Sequence, residues 1–195
     1  RVLDATFRAR YDVATGNDWS VVLAVSNLQR DNISMANFAL SGAGQLTQGN
    51  GALIGQMNGA FDLTLDGLQL RDEALARAVG TSLNGSLGFE LAEGEPLSLR
   101  QIALKGDDFA LNGALVIKGL RDIANLVVSG KLDLTAEDTS RFAALSGLTL
   151  NGAAELGIAG DVTVLNGGFD LEIAGKTRNL SFGIERLDPL MAGVG

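Results

Sequence analysis

Asp108-Phe109-Ala110-Leu111-Asn112-Gly113-Ala114-Leu115-Val116-Ile117-Lys118 decides how this chain folds. At its centre stands Asn-Gly, the pair that favours a two-residue hairpin turn because both residues tolerate positive φ. If Asn112-Gly113 turns, the segment is two stubs of about four residues; if it does not, the segment is one strand of about ten. Phe109, Leu111, Gly113, Leu115 and Ile117 share one side of an extended chain, and Ala110, Asn112, Ala114, Val116 and Lys118 share the other. The phase does not change across Asn-Gly. Turn residues already stand on both sides, in Lys105-Gly106-Asp107-Asp108 and Gly119-Leu120-Arg121-Asp122. One strand is therefore the economical reading.

Leu-Asn-Gly recurs at 83–85, 150–152 and 165–167. At the first two sites the alternation again runs through, so Gly85, Gly113 and Gly152 are expected inside strands, on the apolar side, where a long strand bends. Leu165-Asn166-Gly167 is followed by Gly168 and reads as a real turn. Further turns are expected at Thr15–Asp18, Gln48–Gly51, Glu93–Pro96 and Gly175–Arg178. The spacing predicts strands near 2–13, 19–28, 33–47, 52–70, 82–92, 96–105, 108–118, 125–135, 148–159, 168–175 and 179–186, with 52–70 either two strands or one bent one. Short connections favour an antiparallel meander.

Two stretches break the alternation. Arg71–Gly80 and Glu137–Gly147 read as short helices, each with acids in its first turn and Gly at its end. They belong to a longer repeat. Asp62-Leu63-Thr64-Leu65, helix, Leu83-Asn84-Gly85 parallels Asp133-Leu134-Thr135-Ala136, helix, Leu150-Asn151-Gly152. Repeat-like units are placed at 52–92 and 125–160, and a truncated third begins at 187 with Leu187-Asp188-Pro189-Leu190-Met191-Ala192-Gly193. With Arg1 at its start, the chain reads as a single β-repeat segment, residues 1–195, of a longer protein.

Composition excludes several functions. The chain has no cysteine and no histidine, which removes disulfides, Cys/His metal sites and the usual histidine-based catalytic groups. A net charge of −8 lacks the basic footprint of a nucleic-acid binder. No serine has the nucleophile-elbow context, so no enzyme activity, metal or cofactor is expected. Gly175-Lys176-Thr177 resembles the end of a phosphate-binding loop, but Asp170 stands where that motif needs Gly; a charged hairpin tip is the plainer reading. Gly42-Ala43-Gly44 lacks the third glycine of a dinucleotide fingerprint and reads as strand. Asp107-Asp108 could hold a hard cation or simply be a solvated turn. Asp72-Glu73 and Glu137-Asp138 are helix-start charges. Trp19 and Tyr11 flank one turn, in core or edge positions.

About eleven one-sided strands need a cover that two short helices cannot supply. A closed barrel, a two-sheet sandwich, or a sheet curled into an apolar trough would each answer, the last about 50 Å long at roughly 4.8 Å per strand. Candidate lining residues are Phe61, Leu63, Leu65, Leu87, Phe89, Phe109, Leu115, Ile117, Leu132, Leu156, Phe169, Leu171 and Ile173. The alternative is that they pack on one another in an ordinary closed core.

The recurring Leu-x-Gly alternation, the short helices at Leu75–Gly80 and Phe142–Gly147, and the Leu187–Gly193 ending resemble the TamB family of the AsmA-like group. The resemblance implies a mainly β, curled antiparallel sheet with an apolar concave face. It implies the periplasmic part of a protein anchored in the inner membrane of a Gram-negative bacterium, directed toward an Omp85-type outer-membrane partner. Its implied roles are conducting phospholipid, by its acyl chains, between the membranes and supporting assembly of outer-membrane and autotransporter proteins. A scaffold that receives client strands by β-augmentation, without lipid, is the alternative. A β-repeat passenger or adhesin is a third.

Overall fold

Strand-forming alternation becomes strand pairing along almost the whole chain. The computed structural model describes residues 4–14, 17–48, 55–120, 125–165 and 167–181. The strands are β1 (Asp4–Asp12), β2 (Asp18–Arg30), β3 (Ile33–Thr47), β4 (Gln56–Asp66), β5 (Gln69–Leu70), β6 (Ser82–Ala92), β7 (Leu97–Lys105), β8 (Phe109–Lys118), β9 (Val127–Ala136), β10 (Asn151–Thr163) and β11 (Gly168–Ser181). They form one open antiparallel sheet in the order β1-β2-β3-β4-β6-β7-β8-β9-β10-β11, with the short β5 beside β3. Helix α1 (Glu73–Val79) joins β5 to β6. A 3₁₀ turn, Thr139–Phe142, runs into α2 (Ala143–Ser146) between β9 and β10.

The register lines up the apolar positions across the sheet. Phe7, Leu23, Leu40, Leu63, Gly85, Leu104, Leu111, Leu134, Leu156 and Gly175 form one unbroken transverse row, each paired with the next. One residue along, the opposite side reads Arg8, Val22, Ser41, Asp62, Ser86, Ala103, Asn112, Asp133, Gly157 and Ala174, largely polar or small. A slip of one residue at any pairing would exchange the two sides, so the register is fixed by this pattern.

Where the sequence changes phase, the backbone follows. Leu97 and Leu99 are out of step with Ile102 and Leu104, and β7 carries a bulge there: Leu99 pairs with Leu115 and Ile102 with Gly113, while Gln101 takes φ 53°. The extra residue restores the apolar side chains to one face. Of the 52–70 stretch, the described residues 55–70 form two strands on one line. β4 ends at Asp66, Gly67 takes φ 67°, Leu68 is buried, and β5 resumes the same register against β3.

Gly85, Gly113 and Gly152 lie in β6, β8 and β10, and each is in step with the apolar row. At Gly113 and Gly152 the demand for glycine is close backbone approach: a Cβ would strike the carbonyls of Lys131 and Arg178 respectively. Gly167 lies in the β10–β11 connection with φ 63°, as a turn requires; Asn166 lies outside the described residues. Two expectations fail together. Gly175–Arg178 is not a turn, and no break separates 168–175 from 179–181. β11 runs through all of these residues, paired with β10 from Gly168 opposite Thr163 to Arg178 opposite Ala153; residues 182–186 of the expected last strand lie outside the described residues. Gly175 sits in the apolar row opposite Leu156, so the strand's phase carries through a charged segment that only looks like a hairpin tip. β10 also starts and ends a few residues later than the spacing suggested. The Thr15-Gly16 and Gly49–Gly51 turn residues and the unit beginning at 187 lie outside the described residues.

Glycine sites separate by the space above them. A Cβ on Gly44 would overlap the Asn58 carbonyl and stand 2.6 Å from Gly59 Cα, whereas at Gly168 the nearest atom is Thr163 Cβ at 3.8 Å. Gly44→Ala should therefore cost about 1–3 kcal/mol, as forced insertions into packed sites do. Gly168→Ala should leave the urea midpoint unchanged. Equal midpoints for the two variants would remove steric approach as the reason for Gly44.

Candidate functional site

The apolar face is the candidate site, and its most telling property is what fails to cover it. Among the described residues, the buried apolar side chains are Leu68, Ala78, Ala136 and Ala154. All four lie at the end of the sheet that carries the helices. Among the described residues no second sheet packs on the face: substantial strand–strand contact occurs only between neighbours in the sheet. The closed-core alternatives, barrel and sandwich, are thereby set aside for these residues, because β1 pairs only with β2 and β11 only with β10.

All thirteen candidate lining residues lie on this one face. Phe61, Leu63, Leu65, Leu87, Phe89, Phe109, Leu115, Ile117, Leu132 and Leu156 are half-buried by their neighbours. Phe169, Leu171 and Ile173, on the edge strand, are 74%, 41% and 63% exposed. The face also takes in residues that reading strand by strand passed over: Leu23, Leu40, Leu104, Leu111 and Leu134 of the transverse row, and Trp19.

Trp19 is the larger omission. It pairs with Gly44, Gly44 with Gly59, and Gly59 with Phe89, so two glycines separate the two aromatics in one row. With no Cβ beneath it, the indole lies over the glycine floor, and its Nε1 donates to the Asn58 carbonyl at 3.1 Å. Its ring stands 5.5 Å from Phe61 and 5.9 Å from Phe89; those two stack at 5.6 Å. Such spacings favour aromatic pairs by about 0.5–1.5 kcal/mol beyond area burial. The sequence signal was present in Gly42, Gly44 and Gly59, but it becomes legible only once β2, β3, β4 and β6 are in register.

The helical end is closed by a compact polar and aromatic cluster. Asp72 caps α1, accepting from the Leu75 N–H at 2.9 Å, and Asp138 caps the 3₁₀ turn through Ser140 N–H at 2.9 Å. Gly80 and Gly147 end the two helices with φ 82° and 70°. Phe142 meets Phe109 edge-on at 6.2 Å, and the Arg141 guanidinium lies 5.5 Å over the same ring. Arg141 also donates from Nε to the Arg77 carbonyl at 3.3 Å and places Nη1 3.3 Å from Asp108 Oδ2. One side chain thus joins both helices to the β7–β8 turn and to the apolar face. Ala136 and Ala154, paired beside Phe109, leave room for the turn above them.

This arrangement also answers the cation question at Asp107-Asp108. Asp107 accepts from the Thr81 N–H at 2.8 Å and from the hydroxyls of Thr81 and Ser82, while Asp108 faces Arg141. The pair works as a helix-to-turn clasp. Among the described residues no group of three acidic, histidine or cysteine side chains is placed to hold a metal ion. Lys176 and Thr177, read above as an incomplete phosphate motif, stand in mid-strand.

At the far end of the face the turns leave a recess of about 580 Å³ lined by Leu91, Pro96, Ile117 and Leu120, with exposed Glu93, Glu95 and Lys118 around it. The face therefore runs from a helical plug, past the Trp19–Phe61–Phe89 group, to an open polar-rimmed end. No helix among the described residues is long and apolar enough to cross a membrane.

The clasp carries a pH dependence. The Ser82 hydroxyl, and next the Thr81 N–H, hold the Asp107 carboxyl below its ordinary value; the Ser140 hydroxyl and N–H do the same for Asp138. A carboxylate whose pKa is lower folded than unfolded stabilises the fold above the unfolded value. That contribution is lost as pH falls through the folded one. The urea midpoint should drop as pH is lowered from about 5 toward about 2. Asp107→Asn/Asp138→Asn should start lower at neutral pH and drop less. A double variant with the same pH slope as the parent would refute this origin.

Comparison with protein-family models, with curated proteins and with solved structures finds no match for this chain.

Proposed function

We propose that the open apolar face is an acyl-chain groove, and that the chain is the periplasmic, β-repeat part of a TamB-like, inner-membrane-anchored protein of a Gram-negative envelope. There it conducts phospholipid between inner and outer membranes, supports outer-membrane protein and autotransporter assembly, or does both. The observation that supports this reading is the ten-strand apolar row, which has no covering layer among the described residues. In this proposal the sheet curls about the row, so that the thirteen lining residues and Trp19 surround acyl chains while head groups stay at the open side. Each buried methylene contributes about 0.8 kcal/mol, and a lining of Leu, Ile and Phe distinguishes poorly between chains, which suits a conduit. The helical cluster and the polar-rimmed recess lie at opposite ends of the strands, on the two sides of the row. An Omp85-type partner would be engaged through other parts of the protein.

The test is lipid carriage. Purified protein should copurify with phospholipid detectable by native mass spectrometry, and should speed phospholipid exchange between vesicles. Leu115→Asp places a charge in mid-groove and should reduce exchange at least about tenfold, because an unpaired charge opposes apolar occupancy. Leu115→Met should exchange as the parent does, and far-UV circular dichroism should confirm that both variants are folded. Normal exchange by a folded Leu115→Asp protein, or no lipid on the parent, would sink the conduit.

A further inference from the structure

The recess between the β6–β7 and β8–β9 connections carries charges that the fold does not use. We propose that it selects phospholipids whose head group holds both a phosphate and a primary ammonium. This rests on the acyl-chain reading of the groove and adds the head-group class to it. The recess, of about 580 Å³, belongs to the same face as the groove: Leu91 stands two residues beyond Phe89 on β6, and Ile117 two beyond Leu115 on β8. Two residues of strand span about 7 Å, so acyl chains lying against Phe89 and Leu115 bring their head group to the recess.

Glu93 and Glu95 stand on one turn of the rim, and Lys118 faces them from the end of β8. The turn is held by its backbone alone: Glu93 N–H donates to the Gly55 carbonyl at 2.8 Å, and Glu95 N–H to the Ala92 carbonyl at 3.1 Å. Both glutamates are exposed, and a Cβ on Gly94 between them would meet nothing within 4 Å. Asp12 and Glu90, at this same end of the strands, are held by Arg10 at 2.6 Å and Arg100 at 2.7 Å. No such ion pair or side-chain hydrogen bond engages Glu93, Glu95 or Lys118 among the described residues.

These three charges match one head-group chemistry better than its rivals. Lys118 offers a cation to a phosphate. A primary ammonium two carbons from that phosphate has three N–H donors, enough to bridge both carboxylates. A head group with phosphate and no ammonium leaves the two glutamates facing an anion, and like charges oppose binding. A trimethylammonium has no N–H to donate and is held best over aromatic faces; no aromatic side chain lines the recess. Exposed ion pairs each contribute little, so the selection is severalfold and falls as salt screens it. Apolar lining and charged rim thus divide the work: the first accepts acyl chains of many kinds, and the second sorts head groups.

The test is competition. Protein is incubated with vesicles of equal parts phosphatidylethanolamine, phosphatidylcholine and phosphatidylglycerol, all with the same acyl chains. It is then separated from them, and the lipid it carries is identified by mass spectrometry. The parent should carry phosphatidylethanolamine enriched at least about threefold over each of the others. Glu93→Gln/Glu95→Gln should lose that enrichment, and Glu93→Lys/Glu95→Lys should turn it toward phosphatidylglycerol, with circular dichroism matching the parent in both. A parent that carries lipid without favouring phosphatidylethanolamine over both rivals overturns the head-group selection and leaves the conduit standing. So does an enrichment that either double variant leaves unchanged. A parent that carries no lipid overturns the conduit and the selection together.

Discussion

Everything here follows from one imbalance: each long strand has an apolar side, and the described residues supply only one layer of sheet. In a sandwich or a barrel that side would meet another sheet. Here the register instead lays the apolar positions out as a continuous row from Phe7 on β1 to Gly175 on β11. Side chains then shield one another only from the flanks, which is why the lining is half-buried and the edge residues are exposed. A structure of this kind carries its hydrophobic free energy partly unspent, and that surplus is available to a lipid, a partner or another copy.

The helical end shows what full coverage looks like in this chain. There the strands carry Ala136 and Ala154 in place of Leu or Phe, so the 3₁₀ turn can settle against β10, with helices of seven and four residues packed on that turn. Short helices have little stability of their own. They hold because Asp72 caps α1 and Asp138 caps the 3₁₀ turn that leads into α2, glycines end both helices, and Arg141 ties them together over Phe109. Small side chains beneath a cover, and large ones where no cover exists, divide the face into a structural end and a presenting length.

How much of this could be read in the sequence depends on the range of each interaction. Alternation within ten residues is local, so the continuous strand through Asn112-Gly113 was legible, as were the helix starts at Asp72 and Asp138. Parity also placed all thirteen lining candidates on one side. Relations between strands were not legible. Trp19 owes its position to glycines on β3 and β4, and the neighbourhood of Arg141 spans α1, the β7–β8 turn and β8. Gly175-Lys176-Thr177 misled for the same reason. Its local chemistry is that of a turn, but the ladder with β10 extends the strand through it, because tertiary pairing outweighs a weak local preference.

The meander gives this architecture an unusual economy of consequence. Among the described residues, substantial contacts between strands are confined to sequence neighbours, to β4 with β6 across a helical insertion, and to the two-residue β5 beside β3. Stability is then close to a sum of adjacent pairings, as in repeat proteins. A defect in one strand weakens two ladders and leaves distant strands in place, and a strand added at either edge contributes one more ladder without rearranging the rest. The apolar row is extensible on the same terms, since its only requirement on a new strand is an apolar residue in step. A sheet that presents one long face is served by this property. It keeps the face continuous however many strands are joined, and confines the exposed backbone to two edges.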